Sequence, residues 1–154
     1  NFKHVEIWNK TLTGEASIQA NKLAKYLQSK SRRAKKYPIA ILAGGEMTVT
    51  IKGNGKGGRN QEFALAFALA AEKLKIQKNW VLLSGETDGK DGLTNAAGGI
   101  VDNSTLQKIK QRGLNPKKFL KNNDSYKALK AGNALLSTGT TNTNVADLQI
   151  LLIH

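Results

Sequence analysis

The sequence predicts an α/β fold, a layered α/β/α domain built on a mixed, mostly parallel sheet. Two observations carry that expectation. Short apolar runs such as "IAILAGGE" and "WVLLSGE" alternate along the chain with longer stretches of helical periodicity. One pair of runs, "IAILAGGE" and "MTVTIK", follows too closely for a helical crossover, so the sheet has to be mixed. With 154 residues and no internal repeat, one compact domain is expected. Residues 1–38 form a lead-in strand, helix and basic segment, and residues 39–154 the main α/β unit.

Taken in order, Phe2 to Trp8 reads as a short strand. Thr13 then caps a helix to about Ser29, with Ala16, Ala20, Leu23, Ala24 and Leu27 along one face. Pro38 closes a basic segment, after which "IAILAGGE" is a buried strand and "MTVTIK" a half-buried one. A glycine loop leads into a helix from about Asn60 to Leu74, apolar nearly all round and therefore buried. "WVLLSGETDGKDGLTNAAGGIVD" gives a strand, a polar glycine-rich loop and a short apolar piece. A helix over 104–112 stops at Gly113 and Pro116, and "NNDSYKALKAGN" is a helix capped by Asp124 and ended by Gly132. "ALLSTGTTNTNVADLQILLI" closes the chain as strand, hydroxyl-rich loop and strand.

Composition narrows the chemistry. No cysteine is present, which removes disulfides, iron–sulfur ligation and a thiol nucleophile. The two histidines, His4 and His154, stand near opposite ends, so neither a histidine zinc site nor a Ser-His-Asp triad is expected, and no metal site is assigned within the chain. No apolar run reaches the roughly 20 residues of a membrane span and no signal peptide is visible, so a cytoplasmic protein without membrane contact is expected. The chain opens on Asn1 and reads as part of something longer. Lys and Arg total 24 against 11 acids, a net charge of +13 that favours anionic partners. The densest basic run, "KSRRAKK" from Lys30 to Lys36, reads more simply as a solvated helix end than as a nucleic-acid patch.

The stretch "IKGNGKGGRNQEFALAFALA" concentrates the functional signal, with four glycines between Gly53 and Gly58 and an arginine at the mouth of the buried helix. Gly53, Gly55 and Gly58 match G-x-G-x-x-G, but the acidic residue that a dinucleotide site wants about 20 positions on falls inside that helix. The P-loop spacing also fails, because Arg59 and Asn60 replace its lysine and hydroxyl. What survives is the physics beneath both motifs: converging backbone N–H groups, a helix N-terminus and a guanidinium suited to carboxylate or phosphoryl oxygens. Three further loops are expected at the same sheet end: Gly44-Gly45-Glu46, "SGETDGKDGLTN" and "STGTTNTNVAD". Asp88 and Asp91 either hold Mg²⁺ through water and position a hydroxyl, or serve Asp-Gly turns. Thr138, Thr140, Thr141, Thr143 and Asn144 either donate to a ligand or satisfy their own backbone. Asn122, Asn123 and Asp124 read as a helix cap, and Glu62 as a partner for the dipole or for Arg59.

Four stretches, "GGEMTVTIKGNGKGGRNQEFALAFAL", "GETDGKDGLTNAAGGIVD", "NNDSY" and "STGTTNTNVADLQILLI", together resemble the C-terminal MOFRL domain of type II glycerate kinases, some of which have carried the name hydroxypyruvate reductase. The resemblance covers about Ile39 to Ile153. It implies ATP- and Mg²⁺-dependent phosphorylation of D-glycerate at the 2-hydroxyl, in a cleft shared with a larger N-terminal domain that supplies a catalytic lysine and most of the nucleotide site. A homodimer is a further expectation. Carried over by motif, Arg59 and Asp88 are the catalytic candidates. Gly45, Glu46, Gly55, Gly57, Gly58, Asn60, Asp91, Thr138, Thr141 and Asn144 are the substrate- or phosphate-binding ones. The chain departs from the family pattern at Thr140 (usually proline), Asn142 (usually glycine, though asparagine tolerates a left-handed backbone) and Asn95 (commonly aspartate), and Glu86 adds a charge. The other classes to weigh are a non-catalytic phosphate, nucleotide or nucleic-acid binding module and a hydroxypyruvate reductase.

Overall fold

In the computed structural model, residues 4–32 and 38–153 are described. Residues 33–37, most of the "KSRRAKK" run, lie outside them, as does His154. The elements are β1 (His4–Glu15), α1 (Ala16–Arg32), β2 (Ile39–Thr48), α2 (Arg59–Lys73), β3 (Trp80–Glu86), β4 (Gly98–Asp102), α3 (Thr105–Gln111), α4 (Pro116–Lys121), α5 (Ser125–Ala131), β5 (Leu135–Leu136) and β6 (Asp147–Ile153). The strands form one sheet in the order β1-β2-β6-β3-β4-β5.

Several boundaries differ from expectation. Thr13 lies inside β1 rather than capping a helix, because the first strand runs on to Glu15. "MTVTIK" is not a strand of its own: Met47 and Thr48 complete β2, and the rest is loop. The short helix α4 was not expected, since Pro116 reads as a stop. Here it occupies the first helical turn, where its missing N–H costs nothing, and the Asn115 side chain accepts from the amides of Lys117 and Lys118.

The sheet is mixed, but it is not mostly parallel. Among the described residues only β1 and β2 pair in parallel; β2–β6, β6–β3, β3–β4 and β4–β5 are all antiparallel. The cause is topological. The last strand inserts between β2 and β3 and separates two strands that point the same way. That insertion also gathers one end of the sheet: Gly45 stands opposite Asp147, and Asp147 opposite Glu86.

Nor is the domain α/β/α. In β2, β6 and β3 alternate residues face a single core, in which Ile41, Leu82 and Leu151 meet Leu23 and Leu27 of α1 and the almost wholly buried α2. Phe67 of α2 packs edge-on against Trp80 of β3, ring centroids 5.0 Å apart. The other helices lie around α2 on that same face, so the described residues make two layers with one side of the sheet uncovered.

At the far edge Glu6 ties β1 to α1. It accepts from Tyr26 Oη at 2.5 Å and from Lys30 Nζ at 2.7 Å. Those bonds, Lys30 first and then Tyr26, lower its pKa from 4.5 to about 2. A depressed carboxylate pKa contributes stability that is complete above the unfolded value and lost as pH falls through the folded one. Glu6→Gln should therefore destabilise the fold by on the order of 1 kcal/mol at neutral pH. The difference from wild type should close between pH 4.5 and about 2, as read by urea titrations across that range.

Candidate functional site

The site is assembled at the sheet end where β2 and β3 finish and β6 begins. Arg59, the first residue of α2, reaches across it. Its Nε donates to both oxygens of Asp147, at 3.0 and 2.9 Å, and its Nη2 to Glu86 at 2.9 Å. Glu46, largely exposed, stands 3.9 Å away. Burial works against the cation, and the three carboxylates more than offset it, so the Arg59 pKa stays above its usual value. Glu86 is raised, chiefly by burial. Among the described residues no group accepts from Nη1 of Arg59, and the side chain lines a cleft of about 540 Å³ together with Met47, Ile51, Lys56, Glu62 and Leu93.

Asp147 was not picked out from sequence, and it is the anchor of the site. Its side chain has no exposed surface. Besides Arg59 it accepts from Nδ2 of Asn60 at 2.7 Å and from the Met47 amide at 3.1 Å. The signal that could have found it is an aspartate opening a strand that is apolar but for Gln149, because a carboxylate in that position needs dedicated partners.

Each residue of "RNQE" is anchored, Arg59 and Asn60 sharing Asp147. The Asn60 side-chain Oδ1 accepts from Ser84 Oγ at 2.7 Å and from Gln149 Nε2 at 3.2 Å. Gln61 donates to the Asp91 carboxylate at 3.0 Å and to Thr94 at 2.8 Å. Glu62 does not pin Arg59: it lines the same cleft and accepts from Asn123 Nδ2 at 3.0 Å. Its pKa is raised, mainly by burial.

The anion expected at the mouth of α2 is supplied by the protein itself. Asp91, fully buried, accepts from the amides of Asn60 at 3.2 Å and Gln61 at 2.8 Å. It therefore caps the helix from another loop, and although Asp91 is among the residues lining the cleft, its oxygens are engaged by Asn60 and Gln61. Burial pushes its pKa up, against the pull of those amides.

The glycines are explained by close approach. A Cβ on Gly55 would come 2.3 Å from Asp124 Cβ, and one on Gly58 would lie 2.4 Å from the Asp91 carboxylate. What the loop approaches is segment 122–125. The Asn123 side-chain Oδ1 accepts from the Lys52 amide at 2.7 Å and the Gly53 amide at 3.0 Å, and the backbone oxygen of Asn122 accepts from the Gly55 amide at 3.0 Å. Asp124, expected as a cap for α5, makes no cap bond there and accepts from the Lys56 amide at 3.1 Å. "NND" is a strap for the glycine loop.

The remaining candidates fall on the neighbouring loops. Gly45 passes directly under Leu12 of β1, where a Cβ would sit 2.2 Å from the Leu12 carbonyl oxygen. Gly57, in the glycine loop, lies against Ser125 at the start of α5. Asp88 accepts from the amide of Lys90 two residues on, the turn bond that an Asp-Gly sequence favours. Thr141 Oγ1 donates to the Thr87 carbonyl oxygen, clasping the loop after β5 to the loop after β3. Thr138 bonds the carbonyl of Gly139, and Asn144 Oδ1 accepts from the Ala146 amide. Asn142 takes the left-handed backbone, φ 57°. Thr138, Thr141 and Asn144 are exposed and do not line the Arg59 cleft. Among the described residues no group of three or more His, Cys, Asp or Glu side chains converges to hold a metal, and no helix is long and apolar enough to cross a membrane.

With the geometry established, comparison with known proteins becomes informative. The model of the MOFRL family matches residues 39–147. The chain belongs to the MOFRL family. A D-glycerate 2-kinase of Thermotoga maritima is 53% identical over 131 residues, covering 85% of this chain and 30% of that protein. A glycerate 2-kinase of Pyrococcus horikoshii is 40% identical over 150 residues, covering 96% and 33%. A crystal structure of the T. maritima glycerate kinase superposes with a TM-score of 0.91 at 49% identity, over 100% of this chain and 37% of that one. This MOFRL chain thus spans about a third of the length of the curated relatives it matches.

Exchanging the Asp147 carboxylate for an amide directs an NH₂ group at donors. Asp147→Asn should cost about 3 kcal/mol or more, the scale of breaking a buried charge pair, measured by denaturant titration. A loss below about 1 kcal/mol would remove Asp147 from its anchoring role.

Proposed function

We propose that this MOFRL chain is the C-terminal domain of a cytoplasmic glycerate 2-kinase and supplies Arg59 to ATP-dependent phosphorylation of D-glycerate at its 2-hydroxyl. One observation carries the reading. Asp147 and Glu86 occupy Nε and Nη2 of Arg59, which fixes the plane of the guanidinium, while Nη1 meets no acceptor among the described residues and the side chain lines a cleft. Phosphoryl transfer depends mainly on positioning and neutralisation of charge, and a guanidinium immobilised in advance provides both without reorganising during the reaction.

In this reading Nη1 donates to an oxygen of the transferring phosphoryl group or of the glycerate carboxylate. Arg59 is outnumbered by Glu46, Glu86 and Asp147, so the local charge of this chain is negative. Binding an anion there calls for further cations, and the N-terminal domain of the same enzyme is the proposed source. The described carboxylates do not form a set suited to Mg²⁺: Glu86 and Asp147 are engaged by Arg59, and Asp91 by α2. No step is assigned to a metal held by this chain.

Removing Arg59 outright would leave Asp147 buried without its counter-charge, so alanine confounds stability with activity. Arg59→Lys keeps the charge but cannot span Asp147, Glu86 and the cleft at once. In the full-length enzyme it should lower kcat/KM for D-glycerate on the order of a thousandfold in an ADP-release assay. A contact to the carboxylate alone raises KM, whereas one to the phosphoryl group lowers kcat. Undiminished turnover would remove Arg59 from the mechanism.

A further inference from the structure

The first turn of α2 carries a second group whose chemistry is unspent. Glu62 follows Arg59 by three positions, which puts both on one side of the helix, and both line the cleft of about 540 Å³. The carboxylate is 5% exposed. Asn123 Nδ2 donates to its Oε2 at 3.0 Å, and among the described residues nothing donates to Oε1. No described lysine or arginine forms an ion pair with it. The neighbouring acids differ. Glu86 and Asp147 are held by Arg59, Asp91 by the amides of α2, and Asp88 by its own turn, while Glu46 is largely exposed. Burying a carboxylate with one donor and no counter-charge is costly. The bond to Asn123 does not call for that charge, because a glutamine oxygen in the same place would accept it equally well.

We infer that Glu62 is the proton acceptor of the reaction, its free oxygen Oε1 taking the proton of the substrate hydroxyl in the cleft that Arg59 also lines. The inference rests on the proposed kinase reading. The hydroxyl oxygen attacks the terminal phosphorus of ATP, and the new O–P bond forms as the bond to the bridging oxygen of the leaving ADP breaks and its electron pair departs with ADP. The hydroxyl proton passes to Glu62, which returns it to solvent after product leaves. The surroundings suit a group that both takes and releases a proton. Burial pushes the Glu62 pKa up and the Asn123 bond pulls it back; Glu15 at the end of β1 and Asp91 raise it, and Lys52 lowers it. Glu46, Lys56 and Arg59 complete the charged lining of the cleft. A base has to be ionised to act, so turnover should fall as pH drops through this raised value.

Two variants of the full-length enzyme test this by ADP release from ATP and D-glycerate across a pH series. Glu62→Gln keeps an acceptor for Asn123 and should lower kcat on the order of a hundredfold with KM little changed, and the acid limb of kcat/KM should vanish. Asn123→Asp keeps an oxygen for the Lys52 and Gly53 amides and tolerates the left-handed backbone at this position, φ 53°. It removes the donor to Oε2 and sets a like charge beside Glu62, so the acid limb should move to higher pH by about one unit or more. A role confined to holding the strap leaves that limb where it is, and Asn123→Asp decides the matter if Glu62→Gln does not fold. A Glu62→Gln kcat within about threefold of wild type, or a limb unmoved by Asn123→Asp, overturns the inference. Wild-type phosphorylation of glycerate alongside either result leaves the kinase reading standing.

Discussion

Asp147 opens an interior strand with a carboxylate that no water reaches, and a buried charge of that kind costs several kcal/mol unless it is answered on all sides. Arg59, Asn60 and the Met47 amide answer it. Because those partners belong to α2 and β2, the pairing fixes where α2 begins relative to the sheet. The same contact consumes Nε of Arg59 and so sets the direction of the rest of the guanidinium. Structural support and functional geometry share one ion pair.

The constraint propagates along the first turn of α2. Three polar residues there, Asn60, Gln61 and Glu62, are buried, which a helix tolerates only when each is partnered. Asp147, Ser84 and Gln149 serve Asn60, Asp91 and Thr94 serve Gln61, and Asn123 serves Glu62. Asn123 also holds the glycine loop through the Lys52 and Gly53 amides, so the loop and the helix are positioned by one segment. The acidic surroundings of Arg59 then have a clear sense. They orient the cation at the cost of an excess of negative charge around it.

Much of this was legible beforehand. The helical face of α1, the burial of α2 and the apolar strand cores follow from periodicity. The arginine at the head of "RNQEFALAFALA" stood out because a permanent charge there needs a reason. The glycine cluster announced close approach correctly, yet its object was misjudged. Backbone approach to a ligand and backbone approach to "NNDS" demand the same missing Cβ, so composition cannot separate them. Asp91 and Asp124 were misread for a related reason: both lie where local turn or cap chemistry was available, and both spend their oxygens on amides more than 30 residues away in sequence or close to it.

The sequence by itself determined the class of fold, the buried helix, the family motifs and the residue most worth testing, because periodicity and backbone freedom are local properties. Tertiary structure alone decided that β6 lies between β2 and β3, which makes the sheet mainly antiparallel and brings Glu86, Asp147 and Arg59 together. It also decided that Asp91 fills the helix mouth and that one side of the sheet stays open. These outcomes depend on which strands neighbour one another and on which distant donors a carboxylate finds, and both are set by the free energy of the whole assembly rather than by any stretch of the chain.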